Sequence, residues 1–304
     1  MRMPTRSPTL VAVGSWGQAE FAALRAELDA DRQWPTAATL RDVIASIADS
    51  PIADIASDGA AATIPSVPLP PELVLLAQPR PGIDDQAQLE LLRTFAPLTR
   101  VVVIAGTWSE GELRTGQPPA GVVRLYWYEF APWWRAAVAE WETNQTPAWS
   151  EPLDDVRAGQ QTAIVKLRKR HDVVPTEAGV IAVDAVDFAV FETLAEVLAP
   201  FGWRCEWQPR HRPEVVQPTQ PVAAIWDGGQ LSDGELASLV AFAARVHDGN
   251  AAAPVIVLLD FPRVEHLQAA RAAGAAAVLG KPYRLAHLAS ELDRLIDPTV
   301  DVAR

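Results

Sequence analysis

Three short apolar runs in the second half of the chain each end in an aspartate: "GVIAVD" at 179–184, "PVAAIWD" at 221–227 and "PVIVLLD" at 254–260. Runs of this length, rich in β-branched residues and bounded by glycine or proline, read as strands buried on both faces. The segments between them carry helical spacing instead. "FAVFETLAEVLAPFG" places Phe188, Phe191, Leu194 and Leu198 on one stripe and closes at Gly202. "SDGELASLVAFAARV" opens with a Ser232…Glu235 capping box and puts Leu236, Leu239, Val240, Ala243 and Val246 on one face. "RVEHLQAARAAG" is a further helix, "AAVLG" a last strand, and "RLAHLASELDRLI" a last helix with Leu285, Leu288, Leu292 and Leu295 in register. "WRCEW" reads as a short strand. Apolar strands alternating with helices require a parallel sheet covered on both faces. In such a sheet, chemistry collects at the carboxyl ends of the strands. That edge would hold Asp184, Asp227 and Asp260, with Lys281 and Pro282 just beyond the last strand.

The first half follows the same plan less cleanly. "TLVAVG", "LVLLA", "RVVVIAG" and "GVVRLYWYEF" read as strands; "AEFAALRAEL", "TAATLRDVIASI", "QAQLELLRTF" and "APWWRAAVAEWE" read as helices. The prolines of "SDGAAATIPSVPLPPE" make a loop. Periodicity fails between about 143 and 177, where "KLRKRH" forms a basic run, Lys166–His171. The expected organisation is therefore a first α/β domain over 1–142, a linker over 143–177 and a second domain over 178–304.

Composition narrows the function. The formal net charge of −12 opposes a general nucleic-acid binder, which needs basic surface to displace phosphate counterions. Five scattered histidines lack zinc spacing, and the single cysteine, Cys205, allows neither an internal disulfide nor a cysteine-based metal site. No run approaches the ~18 apolar residues of a membrane span, and the N-terminus lacks signal-peptide pattern. A cytoplasmic location is the expectation. Of 26 lysines and arginines only three are lysines, Lys166, Lys169 and Lys281. Three strand-end carboxylates converging with a lysine suit a divalent cation and a phosphoryl group.

At these residues the second half resembles the receiver domain of two-component response regulators. "GVIAVDAVDFAVFETLAEVL", "AAIWDGGQLSDGELASL" and "PVIVLLDFPRVEHLQAARAAGAAAVLGKPYRLAHLASEL" carry the likeness over about 120 residues, the last stretch most specifically. The resemblance implies a fold of two tandem flavodoxin-like (βα)5 doubly wound parallel sheets. It also implies a strand-1 acid pair for Mg2+, a phosphoacceptor Asp on strand 3, a Thr or Ser on strand 4, and a lysine followed by a cis proline. Asp184 falls on the first acid, with Ala185 in place of the second. The acceptor position falls on Trp226 without a gap, or on Asp227 with a one-residue shorter loop. Leu259 stands at the hydroxyl position with Asp260 next, and Lys281-Pro282 match outright. Three prolines in "QPRHRPEVVQPTQ" stand where a receiver has its second helix. The first half resembles a more diverged copy: Gly14 and Ser15 replace the acids, Ala77 the acceptor, Ala105 or Gly106 the hydroxyl, and an aromatic the lysine.

These departures imply a degenerate receiver. The expectation is a non-enzymatic signalling or scaffold protein of two pseudo-receivers. It would act through protein–protein contacts in a phosphorelay-like pathway, with a partner of unidentified nature, no nucleic acid and no membrane, and with homodimer pairing open. Trp127, Trp133, Trp134 and Trp141 are its candidate contact residues, against core packing. One alternative is a working phosphoreceiver accepting on Asp227 with Mg2+ held by Asp184 and Asp227, the only case in which a cofactor is expected. A second is a small-molecule or nucleotide-binding flavodoxin-like protein.

Overall fold

The computed structural model describes residues 9–28, 34–48, 70–81, 85–112, 119–150, 179–210 and 220–296. Two compact units divide the chain, Met1–Leu153 and Asp154–Arg304. The first contains β1 (Leu10–Gly14), α1 (Ala19–Leu28), β2 (Thr36–Ala37), α2 (Leu40–Ala48), β3 (Leu73–Gln78), α3 (Asp85–Phe95), β4 (Arg100–Ala105), β5 (Val123–Tyr126) and α4 (Trp127–Glu142). The second contains β6 (Val180–Asp184), α5 (Phe188–Leu198), β7 (Arg204–Trp207), β8 (Ala223–Asp227), α6 (Asp233–Gly249), β9 (Val255–Asp260), α7 (Val264–Ala272), β10 (Ala275–Lys281) and α8 (Leu285–Ile296).

Each unit has one five-stranded, wholly parallel sheet, ordered β2-β1-β3-β4-β5 and β7-β6-β8-β9-β10. In both, the second strand of the unit lies outside the first and the third lies inside it. This is the flavodoxin-like doubly wound order, whose crevice opens at the carboxyl ends of the first and third strands. The apolar runs are central because both faces are covered: every residue of β3 and β8 is buried. One face of the second sheet packs Ile181, Val183, Ile225 and Leu258 against Leu194, Leu198, Leu288 and Leu292. The other packs Ala224, Trp226, Val257 and Leu259 against Leu239, Phe242 and Val246. Each such side chain removed from water contributes roughly 1.5–3 kcal/mol.

Several details differ from the sequence pattern. Thr36–Ala37 are not helical but pair with Ala12 and Val13 as β2. Helix α2 starts only at Leu40 because Thr39 and Asp42 cap it reciprocally, Thr39 N donating to Asp42 Oδ2 at 2.8 Å. Helix α4 begins at Trp127, earlier than the "APWW" stretch, with Glu129 Oε2 accepting from Tyr126 N at 2.8 Å and Pro132 inside the helix. On α6, Phe242 faces the core and Val240 faces solvent; the larger ring fills the space beside Trp226. Phe188 at the start of α5 is half exposed, its ring 5.2 Å from Trp207. Packing in the first unit also continues past residue 142: Trp149 is buried against Trp133, Trp134 and Trp141. Residues 151–177 of the expected linker, Lys166–His171 among them, and residues 211–219 of the proline-rich segment lie outside the described residues.

Trp127, Trp133 and Trp134, expected as contact residues, are core side chains at 2%, 3% and 7% exposure. Their rings pack with Phe130 and Trp149 rather than facing solvent, Phe130 and Trp134 stacking at 5.8 Å. An indole on an amphipathic helix over a parallel sheet buries too much apolar area to be left outside. Trp141, at the far end of α4, is half buried. Among the described residues no helix is long and apolar enough to cross a membrane.

Candidate functional site

The carboxyl ends of β6, β8, β9 and β10 bring Asp184, Asp227, Asp260 and Lys281 to one edge, each as the last residue of its strand. Register decides which residue faces the crevice. Asp184 pairs with Trp226, so Asp227 is the first residue past that level. Trp226 turns into the core with no exposed surface, and Asp227 turns out to Lys281. Lys281 Nζ lies 3.1 Å from Asp227 Oδ1 and 3.0 Å from Asp260 Oδ1, and donates to the Gly228 carbonyl at 2.6 Å. One ammonium thus satisfies three oxygens from two neighbouring strands. The Lys281–Pro282 peptide bond is cis.

Asp184 has a different partner. Buried to 1% exposure, it accepts from Arg210 Nε at 2.8 Å through Oδ1, while Oδ2 faces Arg245 Nη2 at 3.8 Å. Arg210 follows β7, and its Nη2 also donates to the Asp227 carbonyl oxygen. Its guanidinium lies 4.5 Å from the centre of the Trp226 ring, a cation–π arrangement. Ala185, at the second-acid position, is buried among Val183, Leu194 and Leu198, and Leu259 fills the opposite core. Neither position offers an oxygen to the crevice.

Burial raises the pKa of Asp184, against the lowering effect of Arg210 and Arg245 and with help from Asp227. Burial likewise raises Asp227, against Lys281 and Arg210 and with help from Asp260. Tyr283 is pushed up to about 12 by burial and by Asp227. Beside the site, burial would raise Glu235, but donation from Gly229 N at 2.7 Å and Ser232 N at 3.0 Å lowers it overall. This caps α6 and holds the loop after β8. Cys205 sits in β7 with its thiol pushed up to about 11 by burial, the behaviour of a small core hydrophobe.

The corresponding edge of the first unit follows from the same register. Gly14 pairs with Ala77 as Asp184 pairs with Trp226. Gln78, rather than Ala77, therefore stands at the level of Asp227. Gln78 is buried at 1% exposure and accepts from Arg124 Nη1 at 3.2 Å; Arg124 also pairs with Glu112. Thr107, past the end of β4, donates its N–H at 2.9 Å and its hydroxyl at 2.7 Å to Glu20 Oε2. Gly14 has φ +95°, and a β-carbon there would lie 2.6 Å from the Ala77 oxygen, so no side chain replaces its missing acid. Strand β5 gives way to α4 at Trp127, two residues short of the level Lys281 reaches on β10.

Arg210, Arg245 and Gln78 escaped the sequence reading. Arg210 sits in the proline-rich "QPRHRPEVV" with no motif around it, and Arg245 is one charge on a mixed helix. Gln78 could have been found as the last residue of the "LVLLAQ" run.

No protein-family model and no curated protein matches the chain. Among solved structures it is similar to a CheY-like response regulator from Mesorhizobium loti, at 20% identity and TM-score 0.32, over 40% of this chain and 100% of that one. It is similar to a response regulator from Thermotoga maritima at 15% identity and TM-score 0.31, over 39% of this chain and 98% of that one. It is also similar to full-length ShkA, solved in complex with AMPPNP, at 16% identity and TM-score 0.29, over 95% of this chain and 50% of that one.

Proposed function

We propose that the chain is a non-catalytic signalling protein of two pseudo-receiver units, the first extending past residue 142 to take in Trp149 and the second over 178–304. It works through contacts with a protein partner or a second copy of itself in a two-component-like pathway of the cytoplasm. The observation that carries this reading is that the carboxylates of the candidate site are already occupied by the protein's own cations. Asp184 is held by Arg210, and Asp227 and Asp260 by Lys281.

Mg2+ does not fit the residues present. A hard divalent ion needs several oxygens with free lone pairs. Here Ala185 supplies none, Asp184 Oδ1 and the Asp227 carbonyl accept from Arg210, and Asp227 Oδ1 accepts from Lys281. Asp184 Oδ2, which accepts no hydrogen bond among the described residues, faces the Arg245 cation at 3.8 Å. Leu259 provides no hydroxyl through which a phosphoryl group could be sensed. With net charge −12, nucleic acid is a poor partner.

One observation favours a second reading, a working phosphoreceiver. Asp227 and Lys281 stand 3.1 Å apart at the strand ends, the arrangement the receiver resemblance implies for an acceptor and its lysine. Incubation with acetyl phosphate and Mg2+, followed by intact-mass spectrometry, separates the two. The expected outcome is an unchanged mass. Stoichiometric incorporation, abolished by Asp227→Ala, would promote the phosphoreceiver and overturn the pseudo-receiver.

A further inference from the structure

We infer that Arg210 is a built-in cation that takes the place of a divalent metal in the second unit, closing the acidic crevice and tying residues 208–210, just past β7, to the ends of β6 and β8. This deepens the pseudo-receiver reading and rests on it.

A metal at a doubly wound crevice bridges oxygens from different strands, and the Arg210 fork does the same. Nε donates to Asp184 Oδ1 on β6 and Nη2 to the Asp227 carbonyl on β8. A planar guanidinium is suited to such two-point bridging and, unlike a metal, is tethered to the chain. Its plane is held from below by Trp226, which has no exposed surface. Gly228 makes room for that arrangement, since a β-carbon there would run into the Trp226 ring. The Arg210 side chain itself is only 11% exposed.

Charge supports the same conclusion. Asp184, Asp227 and Asp260 are faced by Arg210, Arg245 and Lys281, three carboxylates against three cations. The next carboxylate, Glu235, is engaged by the Gly229 and Ser232 amides. A dication entering this balanced site finds no net negative charge to hold it, and it meets three fixed cations within a few ångströms of the carboxylates it would need.

The test compares the full chain with Arg210→Ala and Arg210→Met, the latter keeping an apolar stem over Trp226. Mn2+ binding is followed by electron paramagnetic resonance, and thermal unfolding is followed with and without millimolar Mg2+. The wild type is expected to bind Mn2+ only weakly and to show no Mg2+-dependent shift. The variants are expected to bind Mn2+ about tenfold more tightly or better, since a unit positive charge beside the metal has been removed. Wild-type binding equal to that of the variants would overturn the inference, as would variants that bind no better than wild type. If neither variant folds, the wild-type Arg210 Nε–H resonance decides. Slow solvent exchange unaffected by Mg2+ supports the assignment, and rapid exchange or a Mg2+-dependent shift refutes it. Metal binding by an unphosphorylated wild type as tight as that of the variants sinks this inference alone, whereas phosphorylation of Asp227 sinks the pseudo-receiver reading itself.

Discussion

The two units share a strand order and differ in how they fill the same edge. In the second, acids stand at the ends of the first, third and fourth strands, and arginines and a lysine neutralise them. In the first, the acids are gone from those ends: Gly14 and Gln78 occupy the first and third positions, and the remaining carboxylates, Glu20 and Glu112, come from elsewhere. Both solutions leave few unpaired charges at a crevice with low-dielectric walls. The first unit has no carboxylate at the ends of its first, third and fourth strands; the second has one at each and supplies counterions. A doubly wound sheet tolerates either, because its stability lies in the apolar strands, while the edge only has to be electrically satisfied.

The sharpest way to break this comparison is to remove one counterion from each unit. Losing one partner of a buried pair costs about 3–5 kcal/mol, because the other charge stays buried and uncompensated. Arg210→Ala leaves Asp184, at 1% exposure, with only Arg245 at 3.8 Å and is expected to cost about 3 kcal/mol in urea unfolding of the second unit. Arg124→Ala likewise strands Glu112, whose side chain is 3% exposed, and leaves the Gln78 amide without its donor, so a loss of similar size is expected in the first unit. The double variant Asp184→Asn/Arg210→Met should recover most of the lost stability, since replacing both members of such a pair is close to neutral. Equal losses in the single and double variants would mean that Asp184 and Arg210 are not coupled.

A smaller effect sharpens the contrast at the helix starts. Glu235 caps α6 and also holds Gly229 in the loop after β8, whereas Asp42 only caps α2 with Thr39. Losing a capping side chain costs about 1 kcal/mol. Glu235→Ala should reach or exceed that value and Asp42→Ala should stay below it, read from the urea midpoints. The reverse order would remove Glu235's role in holding the site loop.

Much of the second unit was legible in the sequence because its signals are local. A strand ending in an acid, a capping box at Ser232 and Glu235, and a leucine stripe through Leu288 and Leu292 are each written within a few residues. Asp184, Asp227, Asp260 and Lys281 could be placed at one edge from strand order alone. What stayed hidden depends on register or on side chains arriving from outside the pattern. Whether Trp226 or Asp227 faces the crevice is a one-residue question settled by the pairing of β6 with β8. Arg210 reaches the site from a proline-rich loop whose sequence has no period. Composition reveals that the indoles of α4 are abundant, not which way the helix turns them: Trp127, Trp133 and Trp134 face the core, and Trp149, beyond the expected domain end, packs against two of them.

The finest discrimination concerns what burial and counterions do to Asp184. Its folded pKa is raised, with burial outweighing the two arginines. A carboxyl raised on folding takes up its proton at higher pH in the folded state than in the unfolded state. Its favourable contribution is therefore complete below the unfolded value and is lost as pH rises through the folded one. Asp184→Asn removes this titration and leaves the rest, including Glu235, whose lowered pKa acts in the opposite sense. Between pH 7 and about 4, wild type should therefore gain stability relative to Asp184→Asn as the pH falls. Measuring both proteins by urea unfolding across that window cancels the shared carboxylates. A wild type that instead loses ground on acidification would show that Arg210 and Arg245 outweigh burial. The second unit would then hold Asp184 as a fully stabilised ion rather than a charge tolerated at a cost.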